Sequence, residues 1–219
     1  MTTERGETKL RIEVWSDFVC PFCYIGKRHL EQALEQFAHR DKTEIVWKSF
    51  QLDPGRVAQP GESVYEMLAK KKGGTVAWAK KVSEQVSETA RAAGLNYDFD
   101  RAIPANTFDA HRLTHLAATR GLQDAAEEKI MSAYFTEGRD IGSREDLSRI
   151  AAHIGLDVDE TRETLSSGAF ADEVRADQEE ASEIGVSGVP FFLFNRKLAV
   201  SGAQPVDIFR KALAQSWSM

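Results

Sequence analysis

The sequence predicts an α/β chain with its strands at the two ends and helices through the middle. Three observations carry this. Residues 10–16 read as a strand, run into a helical pattern that opens at Pro21, and are followed by a second strand-like stretch at 43–50. The period then becomes helical for about 120 residues, in a stretch rich in Ala, Glu, Lys and Leu. After Gly185 two short apolar runs, separated by a turn, lead to a last helix. The order is β-α-β, a helical insertion, then β-β-α.

Each element has a local reason. Leu-Arg-Ile-Glu-Val-Trp-Ser alternates apolar and polar residues. Pro21 suits a first helical turn, where its missing N–H costs nothing, and Ile25, Leu30, Ala33, Leu34 and Phe37 follow at helical spacing. Turn chemistry at Leu52-Asp53-Pro54-Gly55 stops the second strand. Helices are expected over 62–72, 75–94, 106–120, 122–137, 143–154, 158–167 and 169–184. Asn106 or Thr107 offers a cap, Ser143 with Asp146 resembles a capping box, and Gly94, Gly121, Gly138 and Gly155 sit where helices stop. Phe191-Phe192-Leu193-Phe194 and Leu198-Ala199-Val200-Ser201-Gly202, joined through Asn195-Arg196-Lys197, read as a hairpin. Pro205 opens the final helix, through Ser216. Residues 1–61 and 186–219 are therefore expected to form one domain, with 62–185 inserted as a helical domain.

Composition narrows the function. The chain has 219 residues, 42% hydrophobic and 28% charged, with a formal net charge of -6. That size buries a core without staples, and the acidic balance argues against nucleic acid as a partner. Lys70-Lys71-Lys72 and Lys80-Lys81 read as solvated helix faces. The polar start MTTERGETKLRIEV lacks the apolar core of a secretion signal. No run approaches the roughly 20 apolar residues needed to span a bilayer. A soluble, cytoplasmic protein with no membrane partner is expected. Its oligomeric state, monomer or homodimer, is open.

Only two cysteines occur, in Cys20-Pro21-Phe22-Cys23. A cytosolic chain has little use for a structural disulfide. At a helix N-terminus, unpaired N–H groups and partial positive charge favour a thiolate at the first sulfur. The second cysteine, nearly one turn on, can attack a mixed disulfide and release the partner. Cys20 is thus the candidate nucleophile and Cys23 the resolving thiol. Zinc would need two further ligands near the pair, and the five histidines are scattered. His111 and His115 share helical spacing but lack the Glu of H-E-x-x-H. No metal or cofactor is expected. Pro190, judged locally, reads as an ordinary trans proline opening a strand.

Taken together, the chain resembles the DsbA-like branch of the thioredoxin superfamily, most closely the FrnE-like proteins. The resemblance rests on Val14 to Gly26 around the cysteines, Phe50-Gln51-Leu52-Asp53-Pro54, Asn106-Thr107 with Ala110-His111-Arg112-Leu113, Gly185 to Phe192, and Ser201-Gly202-Ala203-Gln204. It implies a thioredoxin-like fold with a large helical insertion and a thiol–disulfide oxidoreductase acting on protein or small-molecule thiols, with glutathione as a candidate co-substrate. It also implies a cis Val189–Pro190 bond facing the cysteines, with Val189 pairing an incoming peptide or glutathione as an added strand. Pro21 and Phe22 would meet the substrate, and His111 and Arg112 would roof the cleft.

Departures qualify the match. Thioredoxin and DsbA carry a buried acid six residues before the first cysteine; here that residue is Val14. DsbA has His where Phe22 stands, so a weaker oxidant is expected. Cys-Pro-aromatic-Cys looks like glutaredoxin, with potentials of about -200 to -230 mV. Kappa-class glutathione transferases and 2-hydroxychromene-2-carboxylate isomerases share the insertion architecture and are the alternative function, but they usually place Ser where Cys20 stands. Trp15, Phe22, Tyr24 and Trp47 are candidates for an apolar docking surface or for core.

Overall fold

A computed structural model describes residues 10–57 and 59–219. Residues 1–9, where the absence of a secretion signal was read, and Ala58 lie outside the described residues. The elements are β1 (Leu10–Ser16), α1 (Pro21–Glu35), β2 (Thr43–Ser49), α2 (Val64–Lys72), α3 (Val76–Ala92), α4 (Phe108–Ala118), α5 (Gln123–Phe135), α6 (Arg144–His153), α7 (Val158–Ser166), α8 (Ala171–Glu183), β3 (Phe191–Phe194), β4 (Leu198–Ser201) and α9 (Val206–Trp217). A short 3-10 turn, Arg40–Lys42, precedes β2.

The four strands form one sheet in the order β2-β1-β3-β4. β1 pairs parallel with β2 and antiparallel with β3, and β3 pairs antiparallel with β4. The central position of β1 explains its burial: only Arg11 of its seven residues is exposed. On one face Leu10, Ile12 and Val14 pack with Leu30, Phe192, Phe209 and Leu213, beneath α1 and α9. On the other, Trp15 packs with Ala181 and Val186 of the α8 region. Glu13, a polar position of the alternating stretch, is 1% exposed and pairs with Arg196 at 2.6 Å. Among the described residues no helix is long and apolar enough to cross a membrane.

Four helices, α2, α3, α6 and α7, start at an N-cap side chain that accepts a free N–H. Ser63 and Glu66 form a full capping box on α2. Ser143 accepts from the Asp146 amide, but the Asp146 carboxylate accepts from the Asp140 amide instead, so that box is half made. Before α4 the cap is shared: Thr107 holds the N-cap position, and the Asn106 side chain accepts from the Phe108 amide at 2.9 Å. The helical block and the first turns of α1 share one core, in which Phe18, Cys23, Tyr24 and Ile25 meet Leu113, Ile130, Phe135 and Leu147. The helices therefore press against the cysteine segment itself.

Candidate active site

β1 delivers the chain to the site and α1 carries it away. Between them, the Cys20 amide donates to the Asp17 carbonyl at 3.0 Å, and the Cys23 amide donates to the Cys20 carbonyl at 3.0 Å. Cys20 is the N-cap of α1 with extended backbone and no side-chain cap, and Pro21 occupies the first helical position. The Cys20 sulfur therefore lies beside the unpaired end of the helix. Both thiols are free. Both are buried, Cys20 at 5% exposure and Cys23 at 1%, so the first is the less enclosed of the two.

The far end of the chain closes the site. The Val189–Pro190 bond is cis, and the Cys20 thiol lies 3.5 Å from the Val189 carbonyl oxygen. Pro190 is held there by close packing: a Cβ on Gly26 would stand 3.0 Å from Pro190 Cγ. The trans geometry read from local sequence is thus corrected.

Cys23 has a different environment. Its sulfur accepts from the Asp17 amide at 3.4 Å. Burial pushes its thiol well up, and the adjacent Cys20 adds to this; the Asp17 amide pulls the other way. Cys23 is accordingly held as a protonated, enclosed thiol.

Buried polar groups surround the motif from behind. The Asp17 carboxylate accepts from the Leu52 amide at 2.7 Å, and its other oxygen lies 3.6 Å from His111 Nε2. His111 Nε2 is 3.2 Å from the Phe50 carbonyl. The Tyr97 hydroxyl donates to the Pro21 carbonyl at 2.7 Å, and its ring stacks on Phe135. Glu127 is buried with one carboxylate oxygen unpaired, and burial raises its carboxyl well above the usual range. Val14, at the position of the family's buried acid, is enclosed by apolar neighbours.

The sequence-derived candidates divide. Cys20, Cys23, Pro21, Val189 and Pro190 come together, and Phe22 projects beside them at 44% exposure. His111 and Arg112, expected to roof the cleft, are 1% and 2% exposed. Arg112 donates to the carbonyls of Thr164, Leu165, Ser167 and Ala169 and pairs with Asp109. Its guanidinium is a strut for the α7–α8 connection, and no donor is left to face a substrate. The His111 ring packs tilted against Phe18, centroids 4.7 Å apart, and its Nε2 meets the Phe50 carbonyl in the segment after β2. Trp15, Tyr24 and Trp47 are core, leaving Phe22 as the exposed aromatic of the four. Asp17, Tyr97 and Glu127 went unassigned. Adjacency to the cysteines was a signal for Asp17; Tyr97 reaches the site through packing that no local pattern marks, and the burial of Glu127 is likewise set by packing. His115 Nε2 lies 3.1 Å from Asp177 and 3.0 Å from Ser49 Oγ. Among the described residues no group of three or more His, Cys, Asp or Glu side chains is placed to hold a metal ion.

Comparison with known proteins agrees with this arrangement. Residues 11–214 match the model of the DSBA-like thioredoxin domain. The crystal structure of a probable DsbA oxidoreductase, SCO1869 from Streptomyces coelicolor, is 42% identical and superposes with a TM-score of 0.90, covering 95% of this chain and 90% of that one. The uncharacterized protein YwbO of Bacillus subtilis is 26% identical over 94% of this chain and 96% of its own length. The cytosolic disulfide reductase DsbM of Pseudomonas aeruginosa, solved with GSH, shares the fold at 18% identity and a TM-score of 0.66, over 95% of this chain and all of that one. The chain belongs to the DSBA-like thioredoxin domain family.

Proposed function

We propose that the protein is a FrnE-like thiol–disulfide oxidoreductase that works in the cytoplasm on protein or small-molecule thiols, with glutathione as a co-substrate. The observation that carries this is the placement of Cys20 at the N-cap of α1, 3.5 Å from the Val189 carbonyl, with Cys23 the more enclosed of the two. The Cys20 thiolate attacks a substrate disulfide, forming one S–S bond while the leaving sulfur departs with the electron pair of the other. Cys23 loses its proton and attacks the Cys20 sulfur. The substrate thiolate leaves, the protein holds a Cys20–Cys23 disulfide, and the substrate has gained two electrons. The reverse sequence oxidises a dithiol.

The two environments suit the two roles. The nucleophile must be the less enclosed thiol to meet its partner first, and a resolving thiol must wait until the mixed disulfide exists. Val189 offers its backbone to an extended substrate backbone as a strand partner. Residues 1–61 and 186–219 form the redox platform in this reading, and 62–185 the part that selects substrates. The DsbM structure with GSH supports the choice of glutathione.

The test is equilibration with reduced and oxidised glutathione, followed by acid quenching and mass analysis. Formation of a Cys20–Cys23 disulfide through a glutathionylated intermediate, with reduction of insulin disulfides, is the expected result. A Cys20→Ser variant with full turnover on a small substrate would instead identify a glutathione-dependent isomerase or transferase.

A further inference from the structure

Val19 and Pro21, the chain neighbours of Cys20, also line a cavity of about 350 Å³ that the exchange steps leave unused. Its size lies within the usual range for small-ligand sites. Leu52, Met67 and Tyr134 give it apolar walls, drawn from the loop after β2, from α2 and from α5. Its charged lining is Asp53, Arg56, Lys71 and Lys72. Two of the three cations are already paired: Arg56 with Glu62, and Lys71 with Asp53 at 3.3 Å. Lys72 is exposed and makes no ion pair among the described residues.

The lining thus carries three cations against one carboxylate, with Lys72 left over after pairing, on a chain whose formal net charge is -6. The lysines in the last turn of α2 also suit the helix dipole. That accounts for three cations at this helix end, but not for a cavity with apolar walls that two of them line together with both chain neighbours of Cys20. Leu52, one of its walls, is 41% exposed, and Val57 and Ile103, chain neighbours of the lining residues Arg56 and Pro104, are 72% and 40% exposed.

We propose that this cavity is a substrate-selecting subsite for an apolar or aromatic group bearing a carboxylate, held so that its disulfide reaches Cys20. The inference rests on the reading of Cys20 as nucleophile. The apolar body is drawn from water by the Leu52–Met67–Tyr134 walls, and the carboxylate is met by Lys72 and, by exchange with Asp53, Lys71.

Stopped-flow kinetics of the reduced full chain with two aromatic disulfides tests it. One is 5,5′-dithiobis(2-nitrobenzoate), which carries carboxylates; the other is 4,4′-dithiodipyridine, which does not. In each, Cys20 bonds to one probe sulfur and an aryl thiolate leaves with the electron pair. Cys23 then displaces the second aryl thiolate, so the probe is reduced by two electrons and the protein oxidised. Lys71→Glu with Lys72→Glu is expected to slow the carboxylate probe by about tenfold and the neutral one by less than about twofold, within the range of electrostatic steering. Met67→Trp, which fills the cavity, is expected to slow both. Arg210→Glu with Lys211→Glu on α9 makes the same change of net charge away from the site, and is expected to leave both rates as in the parent.

Equal slowing of the carboxylate probe by the two double reversals, or no slowing by the lysine pair, overturns the subsite. Peptides carrying an activated cysteine disulfide beside Phe-Glu or Phe-Lys name the source. A Phe-Glu preference lost in the lysine variant identifies a polypeptide substrate; probe discrimination without a peptide preference identifies a small molecule. Failure of every disulfide to modify Cys20 overturns the oxidoreductase reading along with the subsite.

Discussion

A methyl group placed on Gly26 would stand 3.0 Å from Pro190 Cγ and 3.1 Å from Phe192 Cζ. Neither neighbour can yield easily, because the proline ring is fixed and Phe192 is fully buried. Gly26→Ala should therefore push α1 and the Val189–Pro190 segment apart. Overpacking costs about 1–3 kcal/mol, and the better helix preference of Ala offsets about 1, so a net loss near 1 kcal/mol is expected in urea denaturation. Disulfide exchange should fall by more than that loss alone explains; exchange at the parent rate would show that this contact does not set the site. Sequence made the glycine visible within the motif but not its reason, since the close neighbours are more than 160 residues away. Tyr97 is similar: its hydrogen bond to Pro21 spans 76 residues.

At the scale of elements, Asp177 joins α8 to β2. It accepts from Lys48 Nζ at 2.7 Å and from the Ser49 amide at 2.9 Å, with His115 at 3.1 Å. Burial alone would raise its carboxyl, but the hydrogen bonds from His115, Lys48 and Ser49 outweigh burial and hold it below the usual range. Its folded-state value is thus depressed, so the stability it contributes is present above the ordinary carboxylate range and lost as pH falls through its folded value. Asp177→Asn should cost about 3 kcal/mol at neutral pH, with a difference from the parent that narrows in acid. A constant difference across pH would contradict the ionised clamp. Element positions were legible because helical and strand periods are local: β1 and β3 coincide with their expected spans, and the helices of the insertion differ by a residue or two at their ends. Arg112 was not legible in the same way. A charged residue beside a histidine reads as a site in sequence, whereas the fold spends it on carbonyls that end α7.

Over the whole molecule, the helical block and the redox motif share a core, and this is where Glu127 sits. Burial raises its carboxyl, Asp124 and Asp17 add to the shift, and Lys27 opposes it. A carboxyl raised on folding binds more protons in the native state, so its contribution is present at low pH and is lost as pH rises through the folded value. Glu127→Gln should leave Tm near the parent value in mild acid and raise it progressively toward alkaline pH. A variant less stable at every pH would show that the ionised carboxylate is needed. The fold class could be read from the order of periods, and the cysteine chemistry from one motif. The buried carboxyls, the enclosed histidine and the cavity beside Pro21 could not, because each is assembled by tertiary packing of β1, α1 and the insertion.

The division of labour between the two cysteines is tested most directly by trapping. Cys23→Ser, mixed with a peptide disulfide and analysed by mass spectrometry, should accumulate a stable mixed disulfide on Cys20, because the enclosed thiol that would resolve it is gone. Cys20→Ser should accumulate none, since Cys23 is 1% exposed and its thiol is pushed up by burial. Equal adduct formation on Cys23 in the Cys20→Ser variant would contradict the assignment of nucleophile and resolving thiol.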